Sequence, residues 1–112
     1  GAFDEAMFSA AERSAGALDA WHAVVGNVRG SVASLRAGLG YLASFQLDAR
    51  EISTPVALLH GEADVICPVD GARRLVGSLA NGTLEVWLDA GHAPFVAQPV
   101  RFAHWLEAAV AR

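Results

Sequence analysis

Residues 56–70 read V-A-L-L-H-G-E-A-D-V-I-C-P-V-D, and residues 83–95 read T-L-E-V-W-L-D-A-G-H-A-P-F. Each begins as an apolar run of strand character and ends in a loop that carries an ionisable residue. Val56 to His60 is apolar until its last position, the pattern of a strand covered on both faces. Thr83 to Leu88 alternates, with Leu84, Val86 and Leu88 on one face and Glu85 and Trp87 on the other. Between them, Val69, Ala72, Leu75, Val76 and Leu79 share one side of a helix expected over Val69–Ala80, closed by Asn81-Gly82. A strand, a helix and a second strand predict a parallel pair. Both loops then leave the sheet at its carboxyl edge, where the sites of α/β proteins are built. Asp64 and His92 are expected to meet there, in the order acid then histidine, as two members of a Ser-His-Asp triad.

The residue types suit that chemistry. A general base needs a fixed ring with one nitrogen free to reach a nucleophile. Gly91 lets the chain turn sharply before His92, and Pro94 stiffens the loop behind it. Asp64 would hold the imidazole in one tautomer and stabilise the imidazolium. Glu62, Asp70 and Asp89 compete for that place. Asp70 lies inside a helix start, and Asp89 is three positions from His92 and within local reach of it. Phe95, directly after the histidine loop, is the better candidate for a substrate pocket; Trp21, Tyr41 and Phe45 read first as aromatic core. His60, at a strand end, reads as structural or pocket-lining, and His22 and His104 as helix-surface residues. Cys67 has no neighbour in the sequence that would activate its thiol.

Gly61, Asp64 and Pro68 form the pattern G-x-x-D-x-x-x-P, and Gly91-His92 follows the next strand. In these motifs the chain resembles the C-terminal part of an α/β-hydrolase. The string His92-Ala93-Pro94-Phe95, with Gln98-Pro99 and Phe102 behind it, is similar to the pimeloyl-carrier-protein methyl ester esterases of that superfamily. The resemblance runs from about Leu35 to the end and more loosely before it. It implies an α/β chain that is a C-terminal fragment of an α/β-hydrolase fold: two parallel strands with flanking helices, and an N-terminal helical cap-like segment. On that reading residues 1–27 are cap-like and residues 28–112 belong to the hydrolase core. The resemblance also implies carboxylic ester hydrolysis through Asp64 and His92, on a small-molecule ester or an acyl-carrier-linked substrate.

One part is missing. The fold needs a nucleophile elbow, G-x-S-x-G. None of Ser9, Ser14, Ser31, Ser34, Ser44, Ser53 and Ser78 has glycine on both sides at distance two. The nearest look-alike, Gly30-Ser31, has Arg29 and Ala33 in those places. The chain alone is therefore expected to be inactive, with a missing N-terminal hydrolase half as its partner. The rival reading is a small non-catalytic α/β binding module derived from a hydrolase.

The remaining sequence is helical in pattern. Residues 3–25 read as one helix or two, since Gly16 weakens the middle, and Gly26-Asn27 is a stop. Val28 to Phe45 carries Val32, Leu35, Leu39 and Leu42 as an apolar stripe. Pro99 opens a last helix with Phe102, Ala103, Leu106 and Val110 inward. Hydrophobic residues make up 54% of 112 residues, more than so small a surface can readily hide. Some apolar faces are thus expected to serve a larger protein. The formal net charge is −4, and the eight basic residues are scattered arginines, which argues against nucleic acid. No apolar run is long enough to cross a membrane. The lone Cys67 fits a reducing, cytoplasmic setting. The histidines show no metal-ligand spacing, and no cofactor is expected.

Overall fold

The computed structural model describes residues 1–25, 32–44 and 46–111, the side chain of Leu35 excepted. The Gly26-Asn27 stop, the Gly30-Ser31 pair and Phe45 lie outside the described residues. Three short helices, α1 (Ala2–Ala6), α2 (Ala10–Ser14) and α3 (Ala17–Val25), occupy the first stretch. The break between α1 and α2 comes from Ser9, whose side chain accepts from the Glu12 amide at 3.1 Å while the Glu12 carboxylate accepts from the Ser9 amide at 3.0 Å. This reciprocal cap satisfies two amides that a helix start leaves free. The break before α3 falls at Gly16, whose φ of 94° is a conformation that favours glycine.

α4 (Val32–Ser44) follows, and every described side chain on it is exposed, Val32, Leu39 and Leu42 among them. A single 3-10 turn, Ala49–Glu51, capped by Asp48, leads to β1 (Val56–Gly61). Then come α5 (Val69–Ser78), β2 (Gly82–Trp87), the one-turn α6 (Pro94–Ala97) and α7 (Pro99–Val110). β1 and β2 are parallel, with Val56 opposite Gly82 and Gly61 opposite Trp87. α5 packs against both strands with Val69, Ala72, Leu75, Val76 and Leu79 turned inward, the expected stripe. The α5 end differs from expectation. The helix stops at Ser78, Leu79 turns to extended backbone, and Gly82 already lies in β2. Asn81 lies beyond the helix end and bonds elsewhere: its carboxamide donates to the Ser53 carbonyl at 2.9 Å, and its own carbonyl accepts the Val56 amide.

Two expected faces are corrected. Leu88 does not continue the inward face of Leu84 and Val86; it is 78% exposed. The Trp87 carbonyl accepts both the Glu62 and the Ala90 amides, which ends the strand and starts a turn at Leu88. Trp87 is buried instead, with the Arg101 guanidinium of α7 3.9 Å from its ring centre. On α7 the inward residues are Phe102, Trp105 and Ala109, while Ala103, Leu106 and Val110 are exposed. The large Trp105 ring, packed beside Phe102 with ring centres 5.8 Å apart, sets that rotation.

The N-terminal core lies against the region that follows His92. Met7, Phe8, Ala17 and Ala93 are buried together, with Leu18, Trp21, Val96 and Ala97 around them. Phe8 and Trp21 meet edge to face at 6.4 Å. Among the described residues the sheet has only these two strands, so each strand offers an open edge. Unpaired edges recruit other chains, and here they sit beside many exposed apolar side chains. The purified chain is expected to self-associate at micromolar concentration; sedimentation velocity showing only monomer would contradict this.

Candidate active site

β1 ends at Gly61, and the chain crosses at once to the loop that leaves β2. The Ala63 amide donates to the Ala90 carbonyl at 3.0 Å and the Glu62 amide to the Trp87 carbonyl at 3.0 Å. A Cβ on Gly61 would collide with the carbonyl oxygens of Ala90 and Gly91. Those are backbone atoms and cannot swing aside. Gly61→Ala is therefore expected to destabilise the chain by roughly 1–3 kcal/mol, the usual range for forced overpacking. A thermal melt reads this as a midpoint several degrees lower, and an unchanged midpoint would show that the two loops are not in contact.

That crossing brings Asp64 to His92. The Asp64 side chain is 3% exposed, and its Oδ2 lies 2.9 Å from His92 Nδ1. Its Oδ1 accepts the amides of Ile66 at 2.9 Å and Cys67 at 2.8 Å. The two backbone donors fix the carboxylate plane, which leaves the second oxygen for the imidazole. The three competing acids are engaged elsewhere. Asp89 pairs with Arg101 at 2.8 Å, and Glu62 and Asp70 with Arg73 at 2.9 and 3.1 Å. The Asp89–Arg101 hydrogen bond holds the Asp89 carboxyl below the ordinary carboxylate range, against a slight opposing effect of burial. Asp70 stands in the first turn of α5, and its carboxylate accepts from Arg73, one turn further along the helix.

His60 is part of the acid's surroundings. Its Nε2 lies 2.6 Å from the Cys67 carbonyl and 3.4 Å from Asp64 Oδ2. A donor at Nε2 bonds that carbonyl and steadies the turn from Asp64 to Pro68. His22 is half-exposed, 3.4 Å from Asp4, and His104 is exposed on α7. Phe95 is 54% exposed, with its ring edge-on to Phe102 at 6.1 Å. Trp21 is partly buried in the N-terminal core and Tyr41 is exposed. A groove of about 620 Å³ at Pro55, Gly82 and Ala109 lies at the amino ends of the strands, the edge opposite to Asp64 and His92. Among the described residues no group of His, Cys, Asp and Glu side chains is placed to hold a metal ion, and no helix is long and apolar enough to cross a membrane.

The role of Gly91 differs from expectation. Its backbone has no positive φ, so no sharp turn requires glycine there. A Cβ on Gly91 would instead sit 2.6 Å from the Met7 carbonyl oxygen and 2.9 Å from the Phe8 Cα. Glycine lets the N-terminal segment lie directly on the histidine loop. Sequence reasoning missed this contact. The Met7 carbonyl accepts the His92 amide at 2.6 Å, the Ser9 hydroxyl donates to the Asp89 carbonyl at 2.7 Å, and Glu12 accepts the Gly91 amide at 2.7 Å. The available signal was the S-x-x-E spacing of Ser9 and Glu12, which marks the cap but not its second use.

No family model matches the sequence. The chain is 37% identical over 78 residues to the pimeloyl-(acyl-carrier protein) methyl ester esterase of Nitrosomonas europaea, covering 68% of this chain and 31% of that protein. It is 38% identical over 69 residues to the esterase of the same description from Aromatoleum aromaticum, covering 60% and 28%. A third, from Serratia marcescens, is 32% identical over 83 residues, covering 72% and 32%. The chain thus spans about a third of the length of the curated relatives it matches. Among solved structures, an esterase from Exiguobacterium antarcticum superposes with a TM-score of 0.54 at 26% identity, over 57% of this chain and 24% of that one. In sequence the chain resembles esterases of the α/β-hydrolase superfamily, and its helix-flanked pair of parallel strands matches part of that fold.

Proposed function

We propose that the chain supplies the acid and the base of a serine carboxylesterase, and that the nucleophile and oxyanion hole come from a segment outside these 112 residues. The observation that carries this reading is the 2.9 Å contact between His92 Nδ1 and the buried Asp64 carboxylate, at the carboxyl edge of a parallel strand pair. A proton on Nδ1 is held by that carboxylate, so Nε2 keeps its lone pair. Nε2 then removes the proton of the serine hydroxyl as its oxygen attacks the ester carbonyl. The tetrahedral intermediate collapses, the alcohol leaves with the proton from Nε2, and an acyl-serine remains. Water repeats the sequence: His92 takes its proton, the acid is released, and the serine is restored. Throughout, Asp64 stays ionised and stabilises the imidazolium.

The substrate class is a carboxylic ester, either a small molecule or an acyl chain on a carrier protein, in keeping with the names of the relatives. Phe95, exposed beside the histidine loop, lines the acyl pocket on this reading. Residues 1–27 form the end of a cap and residues 28–112 the C-terminal portion of the core. The apolar face of α4 and the open strand edges then meet the missing part of the hydrolase. A cytoplasmic setting keeps the exposed Cys67 reduced.

The purified chain is expected to show no turnover of short-chain nitrophenyl esters, since its described serines offer no nucleophile elbow. Turnover that survives purification and is abolished by a serine-directed inhibitor would place the nucleophile within these residues and overturn the reading.

A further inference from the structure

Glu12 is a buried carboxylate, 5% exposed, at the start of a short helix. No cation is among its hydrogen-bond partners in the described residues. Oε1 accepts the amides of Ser9 at 3.0 Å and Gly91 at 2.7 Å, and Oε2 accepts from the Gln98 carboxamide at 3.0 Å. Burying a carboxylate is costly unless its oxygens are bonded, and bonds to an ionised acceptor are the stronger kind. A helix cap alone needs only the Ser9 bond. The other two partners belong to the entry and the exit of the histidine loop.

We propose that Glu12 is a positioning residue for His92. The inference rests on the reading of His92 as the general base. The Gly91 amide is one residue before His92, so fixing its direction fixes where the next side chain leaves the backbone. The His92 amide is fixed in turn by the Met7 carbonyl, and the Asp89 carbonyl by the Ser9 hydroxyl. Gln98, the residue before α7, closes the far end of the loop on the same carboxylate. Glu12 thus joins both ends of the loop to the cap of α2. The His92 ring is one-third exposed and, among the described residues, has Asp64 as its one side-chain hydrogen-bond partner, so its direction depends on the backbone beneath it. A displacement of about 1 Å at a reacting group is enough to cost on the order of 10²-fold in rate.

The test reads the ring directly, in the full chain with isotope-labelled histidine, and the His92→Ala spectrum assigns the resonance. The Nδ1 proton held by Asp64 should give a protected downfield signal. Glu12→Ala should lose it, while the Ile66 and Cys67 amides, bonded to Asp64, keep their positions. Glu12→Gln should restore it, because a carboxamide oxygen still accepts the Gly91 amide. Glu12→Asp keeps the charge but draws the oxygens back by one carbon–carbon bond, and should weaken the signal. If the alanine variant fails to fold, the aspartate and glutamine variants decide by the same signal. A Nδ1 signal unchanged in the aspartate variant, or as fully lost in the glutamine variant as in the alanine one, overturns the proposal. Whether His92 is the base is read separately, from turnover of its own variant in the complete esterase, so either reading can fail while the other stands.

Discussion

Asp64→Asn in the complete esterase is expected to lower turnover by about 10⁴-fold, the size of the effect when the acid of a serine-protease triad becomes an amide. The reason is specific to the donors around Asp64. Oδ1 accepts two backbone amides, from Ile66 and Cys67. An asparagine must give its oxygen to those donors, because its NH2 cannot accept. The NH2 is then turned toward His92 Nδ1, which must present a lone pair instead of a proton. The proton moves to Nε2, and the base can no longer take one from serine. Since both backbone bonds persist, the fold should persist too, and circular dichroism should match the parent. Turnover within tenfold of the parent would remove Asp64 from the mechanism.

The strand pair and the two loops were legible in the sequence because their signals are local. Val56 to His60 is an apolar run of strand length, the α5 stripe keeps helical spacing, and Gly61, Asp64 and Pro68 mark one turn. The parallel pairing then brings Asp64 and His92 to one edge without further information. What was not legible depends on distant contacts. Nothing near Gly91 shows that Met7 and Phe8 lie on its backbone, or that Glu12, 79 positions earlier, accepts its amide. Glycine looked like a turn residue and is instead a place of close approach. Leu88 kept the alternation of β2, but hydrogen bonds from Glu62 and Ala90 to Trp87 end the strand one residue earlier. The α7 spacing puts Phe102, Ala103, Leu106 and Val110 on one side; Phe102 does face inward, yet the wider Trp105 ring takes the place of the other three. The α4 stripe is apolar, but periodicity does not say what covers it. On the proposed reading that surface meets the rest of the hydrolase.

His92→Ala is the second large effect and addresses the central claim. Removing the imidazole leaves the serine proton with no acceptor. Asp64 keeps its two backbone donors, so the buried carboxylate is not stranded and the loop need not unfold. Loss of the histidine in a serine hydrolase leaves only binding and oxyanion stabilisation, and costs at least about 10⁴-fold. The measurement is kcat for a carboxylic methyl ester by the complete esterase, with and without His92→Ala, on protein whose melting midpoint is unchanged. The account predicts a fall of at least about 10⁴-fold. A rate close to that of the parent would mean that His92 is not the base, whatever its distance from Asp64.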